Sequence, residues 1–105
     1  MQGFELIFMA PRSHRHKRQM TLDAIVDLAK THGIYRYTRR MDSESIGNGG
    51  HRHSAHFFEL TDEPEELMFI VDGDQADELL AAVQEQNIKI FCVRRGIEFY
   101  HFGTD

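Results

Sequence analysis

Histidine is unusually frequent in this sequence and is a common ligand of transition metals. Of the seven histidines in 105 residues, five lie in two short polar segments. Neighbouring histidines two residues apart in an extended segment point to the same side, and zinc, copper and nickel accept that arrangement. Each such pair supplies two ligands where a stable site needs three or four, so the segments would have to converge or subunits would have to share them. The candidate metal ligands are His14, His16, His51, His53 and His56, and the alternative is that they are solvated loop residues that add positive character.

A glycine-rich segment precedes the second histidine group. It reads Gly47-Asn48-Gly49-Gly50, and it has neither the lysine of a Walker loop nor the strand and helix that flank a dinucleotide fingerprint. Flexibility is one interpretation of its glycines. The other is that free backbone N–H groups form an anion-binding nest, which a ligand would order as a switch. The candidate ligand-binding residues here are Gly47, Gly49, Gly50, His51, Arg52 and His53.

The charges are unevenly distributed along the chain, whose formal net charge is −5. No acid occurs from Leu6 to Leu22, whereas residues 54–88 hold ten acids and no lysine or arginine. A basic loop in an acidic protein favours a compact anionic ligand and disfavours nucleic acid, whose binding proteins usually show a net basic face. We expect Arg18 and Arg94 or Arg95 to contribute cations. No motif of a nucleophile with its base is present, so we predict binding and not catalysis.

Hydrophobic periodicity predicts two helices among strands. The first helix has Thr21 as its cap, carries an apolar stripe from Leu22 to Ala29 and is ended by Gly33. The second helix is capped by Asp74 and ended by Asn87. Cys92 lies in an apolar, strand-like run, which predicts a buried thiol. The predicted strands are Gly3–Ala10, Ile34–Met41, Ala55–Leu60, Leu67–Val71, Ile88–Val93 and a short one at Ile97–Phe102.

This order of elements predicts an α+β fold, a ferredoxin-like βαββαβ sandwich in which both helices cover one face of an antiparallel sheet. We expect one domain over residues 1–105. Two predicted strands, Gly3–Ala10 and Leu67–Val71, are apolar on both faces, so the face without helices should be covered by another subunit. With no secretory signal and no apolar run of roughly 20 residues, a cytoplasmic location without membrane insertion is the default.

Several segments resemble the PII-like signalling proteins, over most of the chain. Ser13-His14-Arg15-His16-Lys17-Arg18 resembles their basic, histidine-containing loop, and Asp23-Ala24-Ile25-Val26-Asp27 resembles the opening of their first helix. Gly33 falls on the glycine that ends this helix. His53-Ser54-Ala55 and Ile70-Val71-Asp72 are similar to the family's His-Thr-Ala and Ile-Val-Asp.

The resemblance implies a homotrimer with adenine nucleotides such as ATP, ADP or AMP in clefts between subunits. It implies that residues 42–54 form the T-loop, which contacts a partner transporter or enzyme. The family pattern at the base of this loop is only partly present, because Ser45 and Ile46 replace a glycine and an aromatic residue. Metal binding, to which some relatives and the similarly folded CutA proteins are linked, is the alternative function.

Overall fold

The computed structural model describes residues 1–41 and 64–103. In this part of the chain the elements are β1 (Gln2–Pro11), β2 (Arg15–His16), β3 (Gln19–Met20), α1 (Thr21–Thr31), β4 (Thr38–Met41), β5 (Pro64–Val71), α2 (Gly73–Glu85) and β6 (Phe91–Glu98). A four-stranded antiparallel sheet of order β4-β5-β1-β6 packs with the two helices, and a small hairpin of β2 and β3 precedes α1. The predicted α+β ferredoxin-like fold is confirmed.

The core lies between the sheet and the helices. Alternate residues of a strand point to opposite faces, and in β1 the even-numbered Leu6 and Phe8 are completely buried. They lie opposite Phe69 and Leu67 of β5 in the ladder, and residues of both helices belong to the same buried cluster. Both helices therefore cover one face of the sheet, as the sequence predicts.

The helices begin at different residues from those predicted. Thr21 is the first residue of α1 and is buried, and Met20 holds the cap position without a side-chain hydrogen bond. For α2 the cap is Asp72, whose side chain accepts from the backbone N–H of Gln75 while the Gln75 side chain accepts from the backbone of Asp72. This reciprocal capping box satisfies two orphan N–H groups. The cap of α2 therefore lies two residues before Asp74, the cap predicted from the sequence. The predicted ends are confirmed by the left-handed backbone of Gly33 and Asn87.

Several strand boundaries were predicted incorrectly. The tiny hairpin was not anticipated, β4 begins only at Thr38, and β5 begins at Pro64 instead of Leu67. The two predicted strands after α2 are one strand, β6, because the ten-residue β1 offers eight consecutive pairing positions, from Gln2 to Met9. The predicted strand Ala55–Leu60 lies outside the described residues.

The other face of the sheet carries an apolar row between charged pairs. Met68, Ile7 and Val93 are neighbours across β5, β1 and β6, and all three are half-buried. On one side of this row Arg95 pairs with Glu5, and on the other side Arg40 pairs with Glu66. No helix covers this face in the described part of the chain.

Candidate functional site

A cleft of about 420 Å³ opens on the helix-free side of the sheet. Its walls come from the segment that enters β4, the outward-facing residues of β5 and the segment that follows β6. These parts are distant in sequence, and the antiparallel sheet brings them together. The lining residues are Arg36, Tyr37, Thr38, Met68, Ile70, Phe99, Tyr100 and His101.

Backbone hydrogen bonds fix the position of the segment after β6, which forms one wall of this cleft. The N–H of Phe99 donates to the carbonyl of Met1 at 2.8 Å, and the Met1 amino group donates to the carbonyl of Phe99 at the same distance. The Phe99 ring fits there because Gly3 has no side chain. A Cβ at Gly3 would stand 2.3 Å from the carbonyl oxygen of Val71 and 2.8 Å from the Phe99 ring.

Aromatic rings and an arginine meet in the cleft. Tyr37 is anchored against buried Phe69, with ring centroids 5.9 Å apart, and Tyr100 stacks on Phe102. Both tyrosines keep exposed surface, 40% and 64% of their areas. Flat apolar surface suits a planar ring, and the guanidinium of Arg36 can form charge-assisted hydrogen bonds with an anion. Within the described residues no carboxylate pairs with Arg36.

These cleft residues were missed by the sequence reasoning. The local signal was Tyr35-Arg36-Tyr37, an arginine between two aromatic residues just before a strand. A second signal was the aromatic segment Phe99-Tyr100-His101-Phe102. Neither segment alone predicts a site, because only the fold places them beside each other.

The predicted ligand-binding arginines of β6 point to opposite faces. On the helix side, Arg94 Nη1 donates to Asp77 Oδ1 at 2.8 Å and the guanidinium lies 4.1 Å from the Phe4 ring centroid. On the helix-free side, Arg95 Nε donates to Glu5 Oε1 at 3.0 Å. The two arginines therefore do not converge on one ligand, and neither lines the cleft.

Of the remaining predicted ligand-binding residues, one lies within the described residues and the others lie outside them. Arg18 lies in the turn between β2 and β3, a hairpin that packs on α1 and contributes no residue to the cleft. The predicted T-loop, residues 42–54, lies outside the described residues. So do Gly47, Gly49, Gly50, His51, Arg52 and His53.

The five histidines of the metal hypothesis lie partly inside and partly outside the described residues. His14 directly precedes β2, and His16 is the last residue of β2. The other three, His51, His53 and His56, lie outside the described residues. Across residues 1–41 and 64–103, no three side chains of histidine, cysteine, aspartate or glutamate are grouped so that they could hold a metal ion.

A network of ion pairs holds β4, the strand that leads from the cleft. Arg39 Nη1 donates to Asp23 Oδ1 on α1 at 2.7 Å, and its Nη2 donates to Glu65 Oε1 on β5 at 3.1 Å. Arg12 Nε lies 3.7 Å from the other oxygen of Glu65, which is 4% exposed. Burial alone lowers the pKa of Arg39, but the two carboxylates outweigh it and raise that pKa. All four residues of β4 are exposed, so ion pairs and the backbone ladder fix its position.

Comparison with known proteins gives similarity in structure but not in sequence. No protein-family model matches the chain, and no curated protein matches its sequence. CPII from Thiomonas intermedia K12, in a structure bound to ADP, AMP and acetate, superposes with a TM-score of 0.65 at 15% identity, over 95% of this chain and 90% of that chain.

Two further solved structures are similar. CPII, a nitrogen regulatory PII-like protein, bound to ADP, AMP and bicarbonate, has a TM-score of 0.59 at 16% identity, with 92% of this chain and 87% of that chain covered. A protein described as a PII-like signaling protein from Thermus thermophilus has a TM-score of 0.54 at 16% identity, with 91% and 88% covered. The chain therefore has the fold of PII-like proteins, as the resemblance implies. Neither helix of the described part is long and apolar enough to cross a bilayer.

Proposed function

We propose that this chain is a PII-like, non-enzymatic regulator that binds an adenine nucleotide in the cleft beside β4. The observation that carries the proposal is the meeting of exposed aromatic rings with an arginine, Arg36, in one cleft. Two structures of the same fold hold ADP and AMP. The likeness of fold supports the class of ligand, and the side chains of this chain supply the local chemistry.

The cleft offers separate contacts for the two halves of a nucleotide. Stacking of a base on an aromatic side chain contributes about 1 to 3 kcal/mol, and Tyr100 presents the more exposed of the two tyrosine rings. Arg36 supplies a planar cation for phosphate. The cleft is open, which agrees with a site completed by a neighbouring subunit. The other predicted contributors to nucleotide binding remain Gly47 to His53, Arg18, Arg94 and Arg95. Because Arg94 and Arg95 face opposite sides of the sheet, they would not contact the same ligand molecule.

The regulator would be a homotrimer assembled through the helix-free face. The apolar row Met68, Ile7 and Val93 crosses the middle of that face, and Ile70 beside it is 41% exposed. Burying apolar surface between subunits is favourable at about 25 cal/mol per Å². Residues 42–54 would contact a partner transporter or enzyme in the cytoplasm.

Removing the cation of the cleft should weaken nucleotide binding. We expect Arg36→Ala to raise the Kd for AMP and ADP about tenfold, because a charge-assisted hydrogen bond contributes about 1.4 kcal/mol or more. Isothermal titration calorimetry of the variant and the unmodified protein measures this change. Lys89→Ala removes an exposed cation outside the cleft and should leave both constants within about twofold.

The same titrations decide between the two candidate functions. If none of ATP, ADP or AMP binds with a Kd below about 1 mM, or roughly −4 kcal/mol, the nucleotide proposal fails. Titration with zinc, copper and nickel then tests the alternative, in which a double change of His51 and His53 to alanine would abolish metal uptake.

Placing a charge on the helix-free face should dissociate the trimer. We expect the unmodified protein to sediment as three 12.2 kDa chains and Ile70→Glu to sediment as one, because a carboxylate buried between subunits loses its hydration. In a single chain the same residue is partly exposed, so the variant should stay folded by circular dichroism. Ala81→Glu, on the exposed side of α2, is the matched control and should remain trimeric. A monomeric unmodified protein at micromolar concentration would refute the assembly.

A further inference from the structure

The hairpin of β2 and β3 presents cations that have no acidic partner in the part of the chain that the structure describes. Arg15, Lys17 and Arg18 are exposed, and no carboxylate within residues 1–41 and 64–103 pairs with any of the three. By contrast, five of the arginines in or beside the main sheet have an acidic partner there. Those paired arginines are Arg12, Arg39, Arg40, Arg94 and Arg95.

The backbone of the hairpin turn provides an independent observation. His16 pairs with Gln19, so the turn has two central residues, and the first of them, Lys17, has a φ of 59°. Two-residue hairpin turns require a positive φ at this position, which glycine adopts without steric cost. Lysine is disfavoured there, because its Cβ crowds the backbone. The chain thus places a charged side chain at the position of the turn that is best suited to glycine, which indicates that the charge has a use.

We propose that the tip of this hairpin, formed by Arg15, Lys17 and Arg18, docks an acidic segment of a partner protein. Within one chain this surface is separate from the nucleotide cleft, because no hairpin residue lines the cleft. It goes beyond the proposed function by giving the protein a second contact surface, on the helix side of the sheet. Cations presented by an exposed hairpin can each meet a carboxylate on an extended acidic chain.

The surroundings of the hairpin disfavour other anions. The hollow of about 240 Å³ between the hairpin and the helices is lined by Lys17 but also by Asp27, whose carboxylate opposes an enclosed small anion. Residues 12–19 contain no phenylalanine, tyrosine, tryptophan or large aliphatic side chain. The tip therefore offers no large aromatic ring for a nucleic-acid base to stack on and no apolar group to insert into a membrane.

Binding of a fluorescein-labelled peptide of ten glutamates, followed by anisotropy, tests the proposal. We expect Lys17→Gly to weaken binding of the peptide at least about fivefold in roughly 50 mM NaCl while the midpoint of thermal unfolding stays equal or rises. Only a functional role for the lysine predicts both results together. Lys89→Gly removes the same charge elsewhere and should leave binding unchanged. Raising NaCl to about 300 mM should weaken binding to the unmodified protein, since exposed charges are then screened.

Several outcomes would overturn the inference. Equal weakening by Lys17→Gly and Lys89→Gly would show a general field effect, and a lower unfolding midpoint for Lys17→Gly would show that the lysine serves stability. Tighter, hairpin-dependent binding of a ten-nucleotide single-stranded DNA or of vesicles rich in phosphatidylserine would assign another class of partner. Salt-sensitive sedimentation of larger assemblies that Lys17→Gly abolishes would make a second copy the occupant. Absence of nucleotide binding would not affect the result, because the peptide assay does not involve the cleft.

Discussion

Phe69→Ala is expected to lower the free energy of unfolding by about 3 to 5 kcal/mol. The Phe69 ring is completely buried and meets Phe8 edge to face, with the centroids 5.9 Å apart and the planes at 84°. It also supports Tyr37 in the cleft. Alanine would leave a cavity between the sheet and the helices, and the surrounding residues could fill it only in part. A domain of this size has only about 5 to 15 kcal/mol of stability, so the loss is a large share.

Urea denaturation followed by circular dichroism, at matched protein concentration, measures this effect. Phe102→Ala is the control with the same chemistry, since Phe102 is 84% exposed, and it should change stability by no more than about 0.5 kcal/mol. A loss below about 1 kcal/mol for Phe69→Ala would show that Phe69 is not central to the core. If the protein is a trimer, the comparison holds only at equal chain concentration.

Native Cys92 should react with iodoacetamide on the order of 100-fold more slowly at pH 8 than it does in urea. The residue lies on the core side of β6, opposite Phe8, and its Sγ contacts the carbonyl of Val93 at 3.6 Å. Burial raises the pKa of the thiol to about 11, against a lowering effect of a backbone hydrogen bond and of Arg94. Only the thiolate is alkylated, and two pKa units change its fraction about 100-fold.

The pH dependence of this reaction has a definite sign. Because the fold favours the neutral thiol, the associated stability is complete below about pH 9, the ordinary pKa, and is lost as the pH rises towards about 11. The alkylation rate of native protein should therefore keep rising, about tenfold per pH unit, from about pH 8 to beyond pH 10. Glutathione at the same pH values is the control. A plateau near pH 9 would contradict the raised pKa of this half-buried thiol. Mass spectrometry identifies the product because the chain has one cysteine.

The sequence predicted the larger features of this fold because burial leaves a local pattern. The apolar stripe from Leu22 to Ala29 has the period of a helix, and the continuous apolar run of β1 indicates burial on both faces. Left-handed positions at Gly33 and Asn87 follow from residue type alone. These features, in order, were sufficient for the split βαβ arrangement.

Strand boundaries were less predictable, because the neighbouring strand decides where backbone pairing begins and ends. The strand β6 passes through Arg94 and Arg95 to Glu98, since β1 offers hydrogen-bonding groups along that whole length. The sequence predicts instead that one strand ends at Val93 and another begins at Ile97. Once the strand is continuous, neighbouring arginines must face opposite sides of the sheet, and that is why Arg94 and Arg95 contact different carboxylates, those of Asp77 and Glu5.

The structure describes only some of the candidate histidines and none of the candidate glycines. Gly47 to His53 and His56 lie outside the described residues, so their roles remain predictions, while His14 and His16 belong to a hairpin that packs on α1. Sequence by itself determined the apolar faces of the helices and of the central strands, and the order of the helices and long strands, because periodicity is local. Only the tertiary structure brought Arg36 and Tyr37 beside Tyr100 and His101, because a contact between segments so distant in sequence depends on how the strands pair.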